Sequence, residues 1–279
     1  MRDILAGATL ALLCLGGLPA AAEPISPAVA ADSCAQYRSG LVELILIVAG
    51  VPGNRLADIT NGKPRGVVAE ATIKILEELG YKPHLVLGSA NNLEEEFRGG
   101  DFDVAVGVSV SANHRAGTGI IYSDPIIREY SVLLVRAGEH RVIDSFDDLR
   151  GVRLGVLAGH QYPGLENHTH SGIILVRQRK DSENVRNLLL KDLDIVVVSS
   201  VSDIAEFRGE GIMRALELLD KAVGFTDIGS AFAADRFPPG FIRCFNSRLQ
   251  QFMGTPQWGE LLSRNGIGSL VKTWTLLEH

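Results

Sequence analysis

An α/β chain of two lobes is what the sequence predicts. Three observations carry it. Short apolar runs of strand length alternate with amphipathic helical stretches. The order strand, helix, strand, helix, strand occurs twice along the chain. The strands are apolar on both faces, which predicts mainly parallel sheets covered by helices. The 279 residues suffice for two modest domains, and two halves of like design imply a cleft between them, a favoured place for a ligand.

The first half opens with an apolar strand over Leu44 to Ala49. Glu70 to Leu79 carries Ala71, Ile75 and Leu79 at helical spacing and stops at Gly80, a helix-ending glycine. Lys82 to Leu87 reads as a second strand and Leu93 to Arg98 as a short helix ending at Gly99 and Gly100. Asp103 to Val108 is a third strand.

The second half repeats the plan. Tyr130 to Val135 is a strand, and Asp147 to Gly151 closes a short helix. Arg153 to Leu157 and Ile173 to Val176 are strands. Ser182 to Leu190 is a helix with Ser182 as its N-cap, and Asp194 to Val198 is a buried strand. After Pro238-Pro239-Gly240, Phe241 to Phe245 reads as a strand. Helical patterns follow over Ser247 to Met253 and Trp258 to Trp274, a pair placed to return over the first lobe.

Hydrophobic residues make up 46% and charged residues 22%, so a sizeable core is possible. The net charge of −6 argues against nucleic acid, which needs a basic face. A single local Arg still permits an anionic small ligand. Arg2, the apolar run from Ile4 to Leu18 and the small residues Ala20-Ala21-Ala22 read as an export leader cleaved after Ala22. Gly16, Gly17 and Pro19 break that run, and it is too short to span a bilayer. A periplasmic, unanchored, monomeric protein is expected. Residues 23–40, rich in Ala, Ser and Pro, read as a linker. Cys34 and Cys244 remain after the leader; in an oxidising compartment they either pair or stay as two thiols, and the sequence leaves both open.

Several segments then fall into one family's order. They are Asn61 to Gly66, Glu77 to Tyr81, Phe97 to Asp103, Arg115 with Tyr122-Ser123-Asp124-Pro125, and Ser145 to Val156 followed by Ala158-Gly159. In order and spacing, from about Leu44 to Trp274, the chain resembles the family 3 extracellular solute-binding proteins, the type II periplasmic binding fold. The resemblance implies two sheets flanked by helices and joined by a two-strand hinge. It implies a first lobe over 41–128 and 240–276 and a second over 129–239. The crossings fall near Ile126 to Val135 and near Ile228 to Phe245. It also implies hinge closure on a small polar or anionic solute, an amino acid or organic acid, and a membrane permease of an ABC transporter as the receiving partner.

The candidate ligand residues follow. Arg115 comes after a buried strand, and its planar fork of donors matches a carboxylate; the family holds an amino-acid carboxylate with such an Arg. The alternative is a solvated loop arginine. Ser109 and Ser111 stand just before it, suited to bonding a ligand or capping a helix. Gly159, His160 and Gln161 stand where the family has a turn at a helix start, whose free N–H groups bind anions. His160 would add pH dependence. Ser199 stands where amino-acid binders carry an Asp for the ligand ammonium. Val51 to Arg55 replaces the family's aromatic after the first strand, and Arg55 offers a second anion donor.

No catalytic residue, metal site or cofactor is expected. His160, His168 and His170 form too weak a pattern for a metal, and no phosphate loop or nucleophile elbow occurs. Asp101, Asp103 and Asp194 read as helix-to-strand turn residues. Two rivals remain: a cyclohexadienyl dehydratase-like enzyme, with Glu166 as its one nominated acid, and an accessory protein of a periplasmic quinoprotein dehydrogenase.

Overall fold

The computed structural model of the chain describes residues 34–37, 42–49, 54–88, 93–110, 119–162, 164–168 and 172–278. The leader over 1–22, most of the linker over 23–40, Ser111, Arg115 and His170 lie outside the described residues.

The first half runs β1 (Val42–Ala49), a hairpin of β2 (Asp58–Thr60) and β3 (Lys63–Arg65), α1 (Val67–Glu78), β4 (Tyr81–Gly88), α2 (Leu93–Gly99) and β5 (Val104–Ser109). Leu44, Leu46 and Val48 of β1 are buried, as are Ala71, Ile75 and Leu76 of α1. Period two on the strand and period 3.6 on the helix thus put apolar faces in one core. Gly80 stops α1 in the left-handed region, at φ 86°. Both β4 and β5 lie parallel to β1.

After β6 (Ile120–Tyr122) and β7 (Ile127–Arg136), the second half runs β8 (Arg153–Leu157), β9 (Ile174–Gln178), α3 (Asp181–Leu189), β10 (Ile195–Ser199) and α4 (Ser202–Gly209). Then β11 (Leu216–Ala233) returns as an 18-residue strand, followed by α5 (Pro239–Met253), α6 (Pro256–Arg264) and β12 (Thr275–Leu276). Among the described residues the main sheet has ten strands, with the path β4-β1-β5-β11-β7-β10-β8-β9. The expected two sheets are therefore hydrogen-bonded into one path. The antiparallel ribbon of β7 and β11 joins the parallel set β4-β1-β5 to the parallel set β10-β8-β9.

Four sequence expectations change. Phe241 to Phe245 is helical, inside α5. Pro239 sits at the first helical position, where its fixed φ is pre-organised and its missing N–H costs nothing. Phe241, Cys244, Phe245, Leu249 and Phe252 then bury one helical stripe. The second crossing is β11, which ends at Ala233, so it does not extend to Phe245. The pattern from Trp258 to Trp274 is helical only to Arg264, and the cap position of α3 is Lys180 rather than Ser182.

The two halves repeat one local device. Asp103 donates its backbone N–H to Ile45 O at 2.8 Å and accepts from Ile45 N on Oδ2, also at 2.8 Å. Asp194 does the same with Arg153, at 2.9 Å in both directions. In each half an Asp leads the chain into a strand and pins the neighbouring parallel strand. Arg236 pairs with Asp103, and Arg153 grips Asp194 through Nε and Nη2 at 3.0 and 2.8 Å. The hydrogen bonds from Arg153 hold the Asp194 carboxyl at about 2.

Cys34 and Cys244 are joined in a disulfide, with Cα atoms 5.3 Å apart. It ties the turn Ala35–Tyr37 to α5, where Tyr37 packs edge-on against Phe241. At the other end, β12 lies parallel to β11 at Lys221 and Ala222. Leu277 is buried there beside Phe146 and Leu149. Among the described residues, no helix is long and apolar enough to cross a membrane.

Candidate functional site

The ribbon is the frame on which the site is built. Ser109, the last residue of β5, pairs with Ile228, and Ile228 pairs with Ile127 on β7. Ser199, the last residue of β10, pairs with Ser131 of β7. Both parallel sets therefore end against one ribbon, four residues apart on β7, or about 13 Å at 3.3 Å per residue. Ends of parallel strands where the connections diverge are where α/β folds present ligand contacts.

Period two sorts the ribbon residues. Arg128 faces Asp227 in the ladder, and Glu129 faces Thr226 on the opposite side. The Glu129 side opens into a cavity of about 190 Å³, lined by Glu129, His160, Tyr162, Asp181, Ser199, Ser202, Asp203 and Thr226, with Ile228 and Leu157 as apolar walls. Pockets for drug-sized ligands begin near about 300 Å³, so this cavity fits one end of a small solute. Larger grooves of about 400 and 470 Å³ lie behind the ribbon and over α1. In them Arg128 is matched by Asp227 in a bidentate pair and Glu70 by Arg264.

Ser199 was expected to leave the second half with a neutral hydroxyl in place of a carboxylate. The structure brings a carboxylate to it from the ribbon. Glu129 Oε1 accepts from the Ser199 hydroxyl, from Ser202 N at 3.0 Å and from Ser202 Oγ at 2.7 Å. Ser202 opens α4, so Glu129 sits at a helix N-terminus, where N–H groups and the helix dipole favour an anion. Asp203, one residue on, accepts from Ser199 N at 2.7 Å.

Burial governs the titration of the cavity. It raises the Asp181 carboxyl to about 6, against the neighbouring Asn184, which favours the ion, and nearby Glu206 raises it further. Burial raises Asp203 as well, with Asp181 the next largest cause. The His160 ring, exposed at the rim, is held below the ordinary histidine range by the protein around it, against the pull of Glu129 and Glu166. Tyr162 is buried, its pKa raised by burial, and its hydroxyl accepts from Leu157 N at 2.9 Å. Its ring centre lies 4.6 Å from that of His160.

Of the residues singled out in the sequence, His160 and Ser199 meet in this cavity. Gly159 and Gln161 flank His160 in the exposed turn after β8 without lining it. Ser109 ends β5 across the ribbon, half-buried. Arg55 is exposed in the turn before β2, and its carbonyl caps the first turn of α1 through Val67 N. Glu166 is exposed and outside the lining. The sequence reading missed Glu129, Asp181, Ser202, Asp203 and Thr226.

Known structures share this architecture. The unliganded, open L-cystine solute receptor of Neisseria gonorrhoeae superposes with a TM-score of 0.66 at 15% identity, over 86% of this chain and 99% of that one. The GluR0 ligand-binding core, solved with L-glutamate, gives 0.63 at 15% identity, over 81% and 98%. The periplasmic domain of BvgS from B. pertussis gives 0.68 at 15% identity, over 87% of this chain and 46% of that one. No protein-family model matches the chain, and no curated protein matches its sequence. What the superpositions establish is the fold, the two-lobed α/β architecture of periplasmic binding proteins.

Proposed function

We propose that the chain is a periplasmic solute-binding protein that captures a small polar solute, such as an amino acid or organic acid, between its halves and delivers it to an ABC permease. One observation carries this reading. Polar side chains from the ribbon, the turn after β8, the end of β10 and the starts of α3 and α4 line one cavity at the joining ribbon. Glu129, Ser199, Ser202 and Asp203 are fixed there by hydrogen bonds to one another and to the backbone. Binding proteins on this fold close such a site by hinge bending. The neighbours point the same way: an ancestral arginine-binding protein bound to arginine superposes over 81% of this chain with a TM-score of 0.57.

Placement outside the cytoplasm is supported by the leader pattern from Arg2 to Ala22 and by the Cys34–Cys244 disulfide, a bond of oxidising compartments. A thermal-shift screen of the leader-free chain against amino acids, amines, organic acids and sugars tests the reading. A stabilising compound supports it, and a silent screen with no compaction in solution scattering removes it.

A further inference from the structure

The cavity at the ribbon holds an unbalanced charge. Three carboxylates line it, those of Glu129, Asp181 and Asp203, and no Lys or Arg stands among the described lining residues. Elsewhere Arg153 pairs with Asp194 and Arg128 with Asp227. Here the fixed donors are neutral: the Ser199 amide and hydroxyl, and the Ser202 amide and hydroxyl. They orient the carboxylates without cancelling their charge. Carboxylates crowded into a partly desolvated space cannot all stay ionised unless a cation joins them. A proton answers that need, and so does a cationic group brought by a ligand.

We infer that this cavity takes the cationic end of its solute in exchange for protons, so that capture is tight at neutral pH and weaker in mild acid. The inference rests on the cavity being the solute site.

Every charged group facing the carboxylates fits. The ribbon contributes Glu129, α3 contributes Asp181, and α4 contributes Asp203 with Glu206 behind it. The turn after β8 contributes His160 and Tyr162, and Glu166 lies beyond His160. From β10 and β11 come only Ser199 and Thr226. His160 is the one basic group, and the protein around it favours its neutral form, so it does not supply the missing cation.

The signs follow. Without ligand, Asp181 titrates at about 6 when folded, against 3.8 for an ordinary Asp. The folded state therefore binds this proton more readily than the unfolded chain. The resulting stability is fully present below about 3.8 and is lost as pH rises through about 6. A bound cation needs the same carboxylate ionised, so affinity moves the opposite way. One such group makes the dissociation constant about tenfold larger at pH 5 than at pH 7.5.

The test is calorimetry on the leader-free, disulfide-intact chain with L-arginine, L-lysine, putrescine, succinate and glutarate at pH 7.5 and 5.0, beside melting of the ligand-free protein over the same range. The expected result is binding of a cationic probe, about tenfold weaker at pH 5.0, with the pH effect flattened in Asp181→Asn. Ligand-free Asp181→Asn should also gain less melting temperature on acidification than the parent. Asp203→Asn serves if Asp181→Asn does not fold. Affinity independent of pH, or binding of succinate or glutarate in place of the amines, overturns proton exchange and leaves solute capture standing. No binding by any probe, together with equal pH profiles for parent and variant, overturns both.

Discussion

Glu129 reaches from the joining ribbon to the hydroxyl of Ser199, so a carboxylate stands where the strand of the second half ends in a neutral side chain. The same oxygen also takes the amide and hydroxyl of Ser202 at the start of α4. The ribbon thus supplies a wall of the cavity as well as the connection between the halves. A solute gripped by Glu129 bears directly on the strand along which the halves are joined.

Glu129→Gln keeps the shape and removes the charge. If the cavity holds a cationic group, truncating one side of a desolvated charge pair costs about 2–5 kcal/mol. That is roughly thirty- to several-thousand-fold in affinity, at 1.4 kcal/mol per factor of ten. Ser199→Ala should cost less, about 1–2 kcal/mol, because it removes one hydrogen bond to the carboxylate. Calorimetry on both variants with one ligand checks the order.

The sequence made this site half legible, for physical reasons. His160 and Ser199 sit at a turn and a strand end, where patterning points to ligand contacts. Asp181 and Asp203 open α3 and α4, where an acid is an ordinary helix-start residue favoured by the dipole, so nothing marked them as a pair. Glu129 falls one residue before the apolar run from Tyr130 to Val135, and beside Arg128 it looks like loop. Its strand extends back to Ile127 because β11 covers it, a long-range pairing that a local window does not contain. The register of β11 against β7 shifts between Leu218 and Ala222 and again between Ala222 and Gly224, and this erased the alternation that would have marked the strand. Most of the parallel strands were legible because each is a short apolar run bounded by turn residues.

Breaking the Cys34–Cys244 bond should lower stability. The bond spans 210 residues of sequence, and losing a native disulfide typically costs about 2–5 kcal/mol. The melting temperature of Cys34→Ser with Cys244→Ser should fall by roughly 5–15 °C. A reductant should reproduce the shift in the parent and leave the double variant unchanged.

Asp194→Ala should destabilise the second half by about 1–3 kcal/mol, because it strips the acceptor from Arg153 N and leaves the guanidinium without its carboxylate. The Asp194 carboxyl lies at about 2, below the 3.8 of an ordinary Asp. Its contribution is present above about 3.8 and is lost as pH falls toward about 2. Urea melts at pH 7 and pH 3 should therefore show a smaller gap between parent and variant at the lower pH.

Gly164→Ala tests the packing beneath the site. Gly164 has φ +96°, and an added Cβ would stand 2.1 Å from the carbonyl oxygen of Val223 on β11. The contact is with backbone, so the turn has to move. A loss of about 2–4 kcal/mol is expected from backbone strain and overpacking together, read as a drop in the urea midpoint.

The most direct measurement is the melting temperature of the leader-free chain and of Glu129→Gln against the same solute panel. A true ligand at about a hundred times its dissociation constant adds about 2.7 kcal/mol. The parent should therefore rise by roughly 5–10 °C, and Glu129→Gln should stay folded and rise little at the same concentration. An equal rise in both would place capture elsewhere on the molecule, and no rise in the parent with any solute would contradict capture itself.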